Sequence, residues 1–319
     1  MDILLYLNWF IVLVSIILIF LFKPTKLKKT VYPMYFTFFV VTFFCQLFTL
    51  MGSKVLIINI LGALWTYTAF GLVLIHSSLS LGNRKTIVFF IIALIIGLVS
   101  ELLAVKYGYM GRYYYNPKLT PFFFGMVPIM SVFSWATIIY LSYTFANLIL
   151  KAGIKKPNLN GNKFHWLILI ILLSSVSGFV ATNIDMILDP VVVASHGWFW
   201  IDGGPYYGIP ISNFVGWFFV AFIATFMFRL YESVKPKTDG SLTKSSFFTT
   251  LSMILLFIMY FIIYGISAFY MGRPEYILIG ATTMGPLILI TILITVLQFS
   301  GKNWNKITKV NLDKKMQKS

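Results

Sequence analysis

Acidic charge is the scarcest commodity in this 319-residue chain: 9 Asp and Glu stand against 25 Lys and Arg, a formal net charge of +16. Cysteine is rarer still. Cys45, the single one, lies inside an apolar run, which excludes a disulfide framework and a multi-cysteine metal site. The three histidines, His76, His165 and His196, are far apart and lack ligand spacing, so the sequence supports no metal centre. Charged residues of both signs reach only 11%, where soluble domains carry about 25%. Hydrolase elbows and glycine loops that cradle phosphate are missing too.

Apolar sequence fills the gap. Hydrophobic residues make up 59% of the chain and mean hydropathy is +0.88. This composition defines an all-α fold, a polytopic membrane helical bundle. Nine stretches approach the roughly 20 residues needed to cross a bilayer: 3–22, 32–51, 55–76, 86–105, 122–149, 164–188, 210–230, 246–269 and 277–299. Eight spans are the alternative, because only residues 52–54 separate the second and third. The first stretch begins beside an acidic residue and runs into Lys23-Pro24-Thr25-Lys26, which reads as a retained helix rather than a cleaved signal. One integral-membrane domain over 1–300 is expected, followed by a solvated basic tail over 301–319, disordered in part. No internal repeat is visible.

Loop charges orient the bundle. One set of loops with the C-terminal tail holds 20 Lys and Arg and the other side holds 5, which places the N-terminus outside and the C-terminus in the cytoplasm. The basic residues flank apolar runs, so they answer to topology and anionic headgroups, not to nucleic acid.

Against this background three carboxylates stand out. Glu101 ends one apolar run, and Asp185 and Asp189 end another. Ionisable groups at membrane depth cost about 2.5–3.5 kcal/mol each on insertion scales and usually mark a functional site. A spacing of four puts Asp185 and Asp189 on one helix face. Two carboxylates that close in a dry setting cannot both ionise cheaply, which makes the pair a membrane-embedded Brønsted acid. The topology brings Glu101, the 111–115 loop, the aspartates, the 191–209 connection and the 272–275 turn to the same, non-cytoplasmic end. Acidic side chains from separate helices are expected to meet there in one apolar chamber.

Several residues have two readings. Trp198, Trp200, Tyr206 and Tyr207 sit in a segment too rich in Gly and Pro for regular helix. They fit an interfacial aromatic belt, or a π-rich wall facing a carbocation at about 0.5–2 kcal/mol per contact. Glu101 has Lys106 and Arg112 nearby as ion-pair partners, and Asp189 would tie down a helix end before Pro190. Arg112 and Arg273 read as headgroup anchors or ion-pair partners, and His196 as a proton relay or an interfacial polar residue. Asn183 and Asn213 would hold a water, orient a carboxyl or join helices.

The run from Ser100 to Gly108, then Gly111-Arg112-Tyr113-Tyr114-Tyr115, Val127-Pro128 and Trp135, resembles the carotenoid biosynthesis family of membrane proteins. A second block agrees: Asp185-Met186-Ile187-Leu188-Asp189-Pro190, Gly197-Trp198-Phe199-Trp200, Gly204-Pro205-Tyr206-Tyr207-Gly208-Ile209-Pro210 and Asn213-Phe214-Val215-Gly216-Trp217. The likeness covers about residues 95–220, and the best-known members of the family it resembles are the acyclic carotenoid 1,2-hydratase and bisanhydrobacterioruberin hydratase group. It implies a cofactor-independent hydratase of the cell membrane, adding water across a terminal alkene of an acyclic carotenoid or polyprenyl lipid. Other carotenoid-pathway enzymes are the partners it implies. Asp185 and Asp189 would then be the acid system, with Glu101 positioning or deprotonating the water. Trp198, Trp200 and Tyr206 would line the cation site and Tyr113 would orient Glu101, with Trp217, Asn213, Arg112 and Asn183 completing the substrate-binding group. The alternatives are a membrane terpene cyclase, which protonates in the same way, and a non-enzymatic lipid or polyprenol carrier with the carboxylates as proton relay.

Overall fold

The computed structural model describes residues 40–42, 64–151, 163–234 and 247–316. The expected spans 3–22 and 32–51, apart from 40–42, lie outside the described residues, as does the 52–54 connection. The span expected at 55–76 is described only from 64 onward. Seven α-helices follow: α1 (Trp65–Leu81), α2 (Asn83–Tyr107), α3 (Ile129–Lys151), α4 (Lys163–Ala194), α5 (Ile211–Val234), α6 (Phe247–Tyr270) and α7 (Pro274–Met316). Each of α2 to α7 contains a stretch long and apolar enough to cross a membrane. α1 is shorter, and Thr66 through Ser78 are all buried, so it is an inner helix.

Beyond the buried Phe89 and Phe90, small side chains mark the inner face of α2. Ala93, Gly97, Ser100 and Ala104 are buried at helical spacing, whereas Ile91, Ile95, Val99 and Leu103 form an exposed stripe four residues apart. Small residues let helices approach closely where lipid removes any hydrophobic drive between them. Glu101 lies on the buried side. α2 stops at Gly108, whose left-handed φ of 69° lets its N–H reach Ala104 O. α4 is the central helix and packs against α3, α5, α6 and α7.

Two short antiparallel sheets break the helical pattern at the end of the bundle where α2 and α4 finish. β1 (Tyr113–Tyr115) pairs with β4 (Trp198–Trp200) in the register Tyr113↔Trp200, Tyr114↔Phe199, Tyr115↔Trp198. β2 (Phe122–Phe123) pairs with β3 (Val127–Pro128). The second sheet corrects the span expected over 122–149, because α3 begins only at Ile129. Pro121 and Pro128 carry no N–H, and Gly125 turns at φ 68°, so the apolar Phe122–Phe123 pair forms a strand instead of a first helical turn.

A second correction concerns Pro190, expected to follow a helix end. α4 passes through it and runs on to Ala194. A proline inside a helix deprives the carbonyl four residues back of its donor. That carbonyl is Met186 O, and the Tyr206 hydroxyl donates to it at 2.8 Å. The basic C-terminal segment differs too: α7 keeps helical backbone to Met316, where a partly disordered tail was expected.

Candidate functional site

Glu101 is 6% exposed and is approached by three donors from two elements. Tyr113 and Tyr115 of β1 both donate their hydroxyls to Oε2, the latter at 2.6 Å, and Trp135 of α3 donates Nε1–H to Oε1 at 2.5 Å. Period-two alternation puts Tyr113 and Tyr115 on the same inward face of β1 and leaves Tyr114 exposed. Burial, followed by the neighbouring Glu101 charge, pushes both phenols well above their usual range, so both remain donors. Trp135 reaches the carboxyl because α2 and α3 touch at Gly97, where an added Cβ would lie 2.9 Å from Trp135 Cβ. Neither cation named in the sequence pairs with Glu101. Arg112 grips exposed Asp202 through Nε, at 2.8 Å, and Nη2, and Lys106 lies over the Tyr107 ring.

The aspartates form a second centre. Asp185 and Asp189 are 0% and 1% exposed. A single amide nitrogen, Nδ2 of Asn213 on α5, donates to Asp185 Oδ2 and to Asp189 Oδ2, each at 2.7 Å. Trp198 Nε1–H donates to Asp189 Oδ1 at 2.5 Å. Asp185 Oδ1 and Trp200 Nε1 are buried and make no hydrogen bond. A native protein rarely leaves such atoms bare, and when it does the site is often catalytic or holds water.

The β1–β4 sheet joins the two centres. Its cross-strand pairs place a tyrosine bound to Glu101 beside a tryptophan of the aspartate side: Tyr115 meets Trp198 edge-on at 5.9 Å and Tyr113 meets Trp200 at 4.7 Å. The acids therefore gather at one end of the bundle, in two linked centres. The three loops also converge: Ile201 N–H donates to Arg112 O at 2.8 Å, and Tyr207 meets Tyr276 at 4.9 Å. Gly204 closes the 191–209 connection on itself, since an added Cβ would fall 2.1 Å from the Ile209 carbonyl.

A cavity of about 500 Å³ opens beside Glu101. The indoles of Trp65, Trp135, Trp198 and Trp217 line it, and Glu101 is the one carboxylate in its lining. Trp135 and Trp217 lie 4.1 Å apart, centre to centre, at 36°. Asn116, Lys118, Ser195 and His196 give part of the wall a polar character. Asp185 and Asp189 stand outside the wall; of their neighbours, Leu188 and Trp198 line it.

Not every expected site residue joins this arrangement. Arg112 is committed to Asp202, with both side chains well exposed, and does not line the cavity. Asn183 turns back on its own helix and donates to Phe179 O at 2.6 Å. Tyr206 serves the carbonyl freed by Pro190 and meets Phe214 at 4.9 Å, away from the cavity wall. Trp200 is likewise absent from the lining. Sequence reasoning missed Trp135 and Tyr115 as ligands of Glu101, and Asp202 as the partner of Arg112. Spacing carried a signal for Tyr115 alone, because it shares a strand face with Tyr113.

Buried carboxyl centres in a multi-helix bundle of membrane-spanning length define a polytopic membrane protein with an acid site at one end. A family model for carotenoid biosynthesis proteins matches residues 55–287, and the chain belongs to that family. A comparison with curated proteins and one with solved structures find no match to the chain.

Proposed function

We propose that the protein adds water across a terminal alkene of an acyclic carotenoid or related polyprenyl chain. The observation that carries this reading is the unequal provision of its two acid centres. Asp185 keeps one buried oxygen without a partner, while Glu101 has three donors and faces an indole-lined cavity. Asp185 is the proton donor, and Asp189 and Asn213 hold it in place. Protonation of the alkene carbon gives a tertiary cation, which the faces of Trp135, Trp198 and Trp217 shield. Water attacks the cation and Glu101 takes its proton, which must pass back to Asp185 before the next turnover; over the full cycle the net change is one water added and no redox step. To meet Asp185 the reacting end must pass the cavity wall, in which Leu188 and Trp198 are the neighbours of the aspartates. With the N-terminus outside and the C-terminus in the cytoplasm, this end of the bundle faces outward in the cell membrane.

The test uses full-length protein in detergent, supplied with an acyclic carotenoid, with product mass as readout. A gain of one water supports the hydratase. An isomer of unchanged mass makes it a cyclase instead, and binding without any product makes it a carrier. Unchanged turnover in both Asp185→Asn and Asp189→Asn removes the mechanism.

A further inference from the structure

A second polar cluster lies at the opposite end of the bundle, built on the same three helices that carry much of the acid site. It contains Lys85 of α2, Tyr143 and Asn147 of α3, and Arg229 and Glu232 of α5. From Lys85 to Glu101 is sixteen residues of continuous helix, about 24 Å of rise. The cluster is therefore remote from the acid chemistry and independent of the reading above.

Its centre is Arg229, a residue 5% exposed. Nη1 donates to Asn147 Oδ1 at 2.9 Å, and the guanidinium lies over the Tyr143 ring, 4.4 Å from its centroid. Nε and Nη2 are buried and have no hydrogen-bond partner. These two nitrogens form one edge of the guanidinium, the fork that matches two oxygens of a carboxylate or phosphate. The protein shows what that edge does when served, since Arg112 uses its own Nε and Nη2 to grip Asp202. Glu232, the carboxylate three residues on, does not fill the role at Arg229. Its Oε2 accepts from the Tyr143 hydroxyl at 2.7 Å and its Oε1 faces Lys85 Nζ at 3.4 Å. Glu232, one helical turn from Arg229, is a counter-charge nearby but gives neither nitrogen a hydrogen bond, and native structures rarely leave two donors of one group unpaired.

We infer that the open edge of Arg229 binds an oxyanion of the phosphate type, carried by a lipid headgroup or free in solution. Basic pockets between membrane helices are suited to phosphate-bearing headgroups. Lys85 and Glu232 are partly exposed, with side chains 18% and 24% accessible, and they mark where the cluster reaches the surface. An anion enters there and pairs with Nε and Nη2. The long Lys85–Glu232 contact leaves Lys85 able to turn toward the anion.

Thermal unfolding of the full-length protein in detergent tests this, with either phosphatidylglycerol or inorganic phosphate added. Phosphatidylcholine and chloride at matched ionic strength serve as controls. A ligand that binds only the folded state raises Tm, here by about 3 °C at saturation. A rise with phosphatidylglycerol alone assigns the site to a headgroup phosphate, and a rise with inorganic phosphate assigns it to the free ion. Arg229→Lys, which keeps the charge and loses the fork, removes the response. Should that variant fail to fold, Asn147→Asp replaces it: a carboxylate placed beside the guanidinium supplies the counter-charge from within and abolishes the response. Arg273→Gln, at an exposed arginine paired with Glu275, keeps the response in full. No rise with either probe overturns the site, as does an undiminished rise in Arg229→Lys or Asn147→Asp. A rise lost equally in Arg273→Gln overturns it as well.

Discussion

Glu101 and the Asp185–Asp189 pair are buried to a similar degree and sit at the same end of the bundle, yet they are provided for in opposite ways. Glu101 receives three neutral donors from β1 and α3. The two aspartates share one amide nitrogen and one indole N–H, and Asp185 Oδ1 receives nothing. Hydrogen bonds to a carboxylate favour its charged form, and desolvation without them favours the neutral one. Burial alone therefore does not decide what a membrane carboxyl does. In the proposed reaction the number of donors aimed at it separates the proton acceptor, Glu101, from the proton donor, Asp185.

On the proposed mechanism the largest effect comes from removing the proton donor, Asp185. Asp185→Asn keeps the shape and the contact with Asn213 but carries no acidic proton. Product formation from an acyclic carotenoid should fall by about 10²–10⁴-fold, the usual share of general acid catalysis. Retained activity in that variant with loss in Glu101→Gln would reverse the two roles. Glu101→Gln itself should lower turnover by a smaller factor while costing stability. Its amide oxygen accepts from one side, but its NH₂ faces another donor, and a buried donor left unmatched costs about 1–3 kcal/mol. Tm and turnover of the variant, measured together, check both parts.

The residue types of this site were legible in the sequence, but its wiring was not. Glu101, Asp185 and Asp189 announced themselves as charge inside apolar runs, whereas the 111–115 segment read as a loop and only the folded strand shows Tyr113 and Tyr115 on one face. Helix number and edges were harder. In a chain this apolar, Phe122 and Phe123 look like any other hydrophobic pair, and the prolines and glycine around them decide for a strand. Pro190 misled in the other direction, because the group that makes it tolerable inside α4 is the Tyr206 hydroxyl, sixteen residues further along. Arg112 and Asn183 looked like site residues because they are polar and close by. The partners that claim them, Asp202 and Phe179 O, are settled only by the folded geometry. Trp135 joined the Glu101 centre through a helix contact at Gly97, and no spacing rule reports a contact between helices.

Smaller substitutions sharpen the contrast between the centres. Trp198→Phe keeps an aromatic face on the cavity and removes the N–H that holds Asp189. A hydrogen bond to a charged group contributes about 1.5–3 kcal/mol, so Tm should fall measurably, and turnover should fall more than KM changes. Trp135→Phe makes the matched experiment at Glu101, which still has two tyrosines. If the provision of donors matters as argued, the aspartate centre is the more sensitive of the two, and equal losses would count against the contrast.

The smallest effect is expected at the rim, where Arg112 holds Asp202. The hydrogen bonds from Arg112 set the Asp202 carboxyl below its usual range. A carboxyl whose folded pKa is depressed stabilises the fold above its unfolded value, about 3.9, and loses that contribution as pH falls through the folded one. Asp202→Asn should thus lower Tm slightly at neutral pH, with the difference from the parent protein shrinking on acidification below about pH 4. Both side chains are well exposed, so salt should screen the same difference. A large, salt-insensitive loss would mean that this bridge braces the β1–β4 sheet, and through it the spacing of the two acid centres, since Arg112 O also accepts from Ile201 N–H.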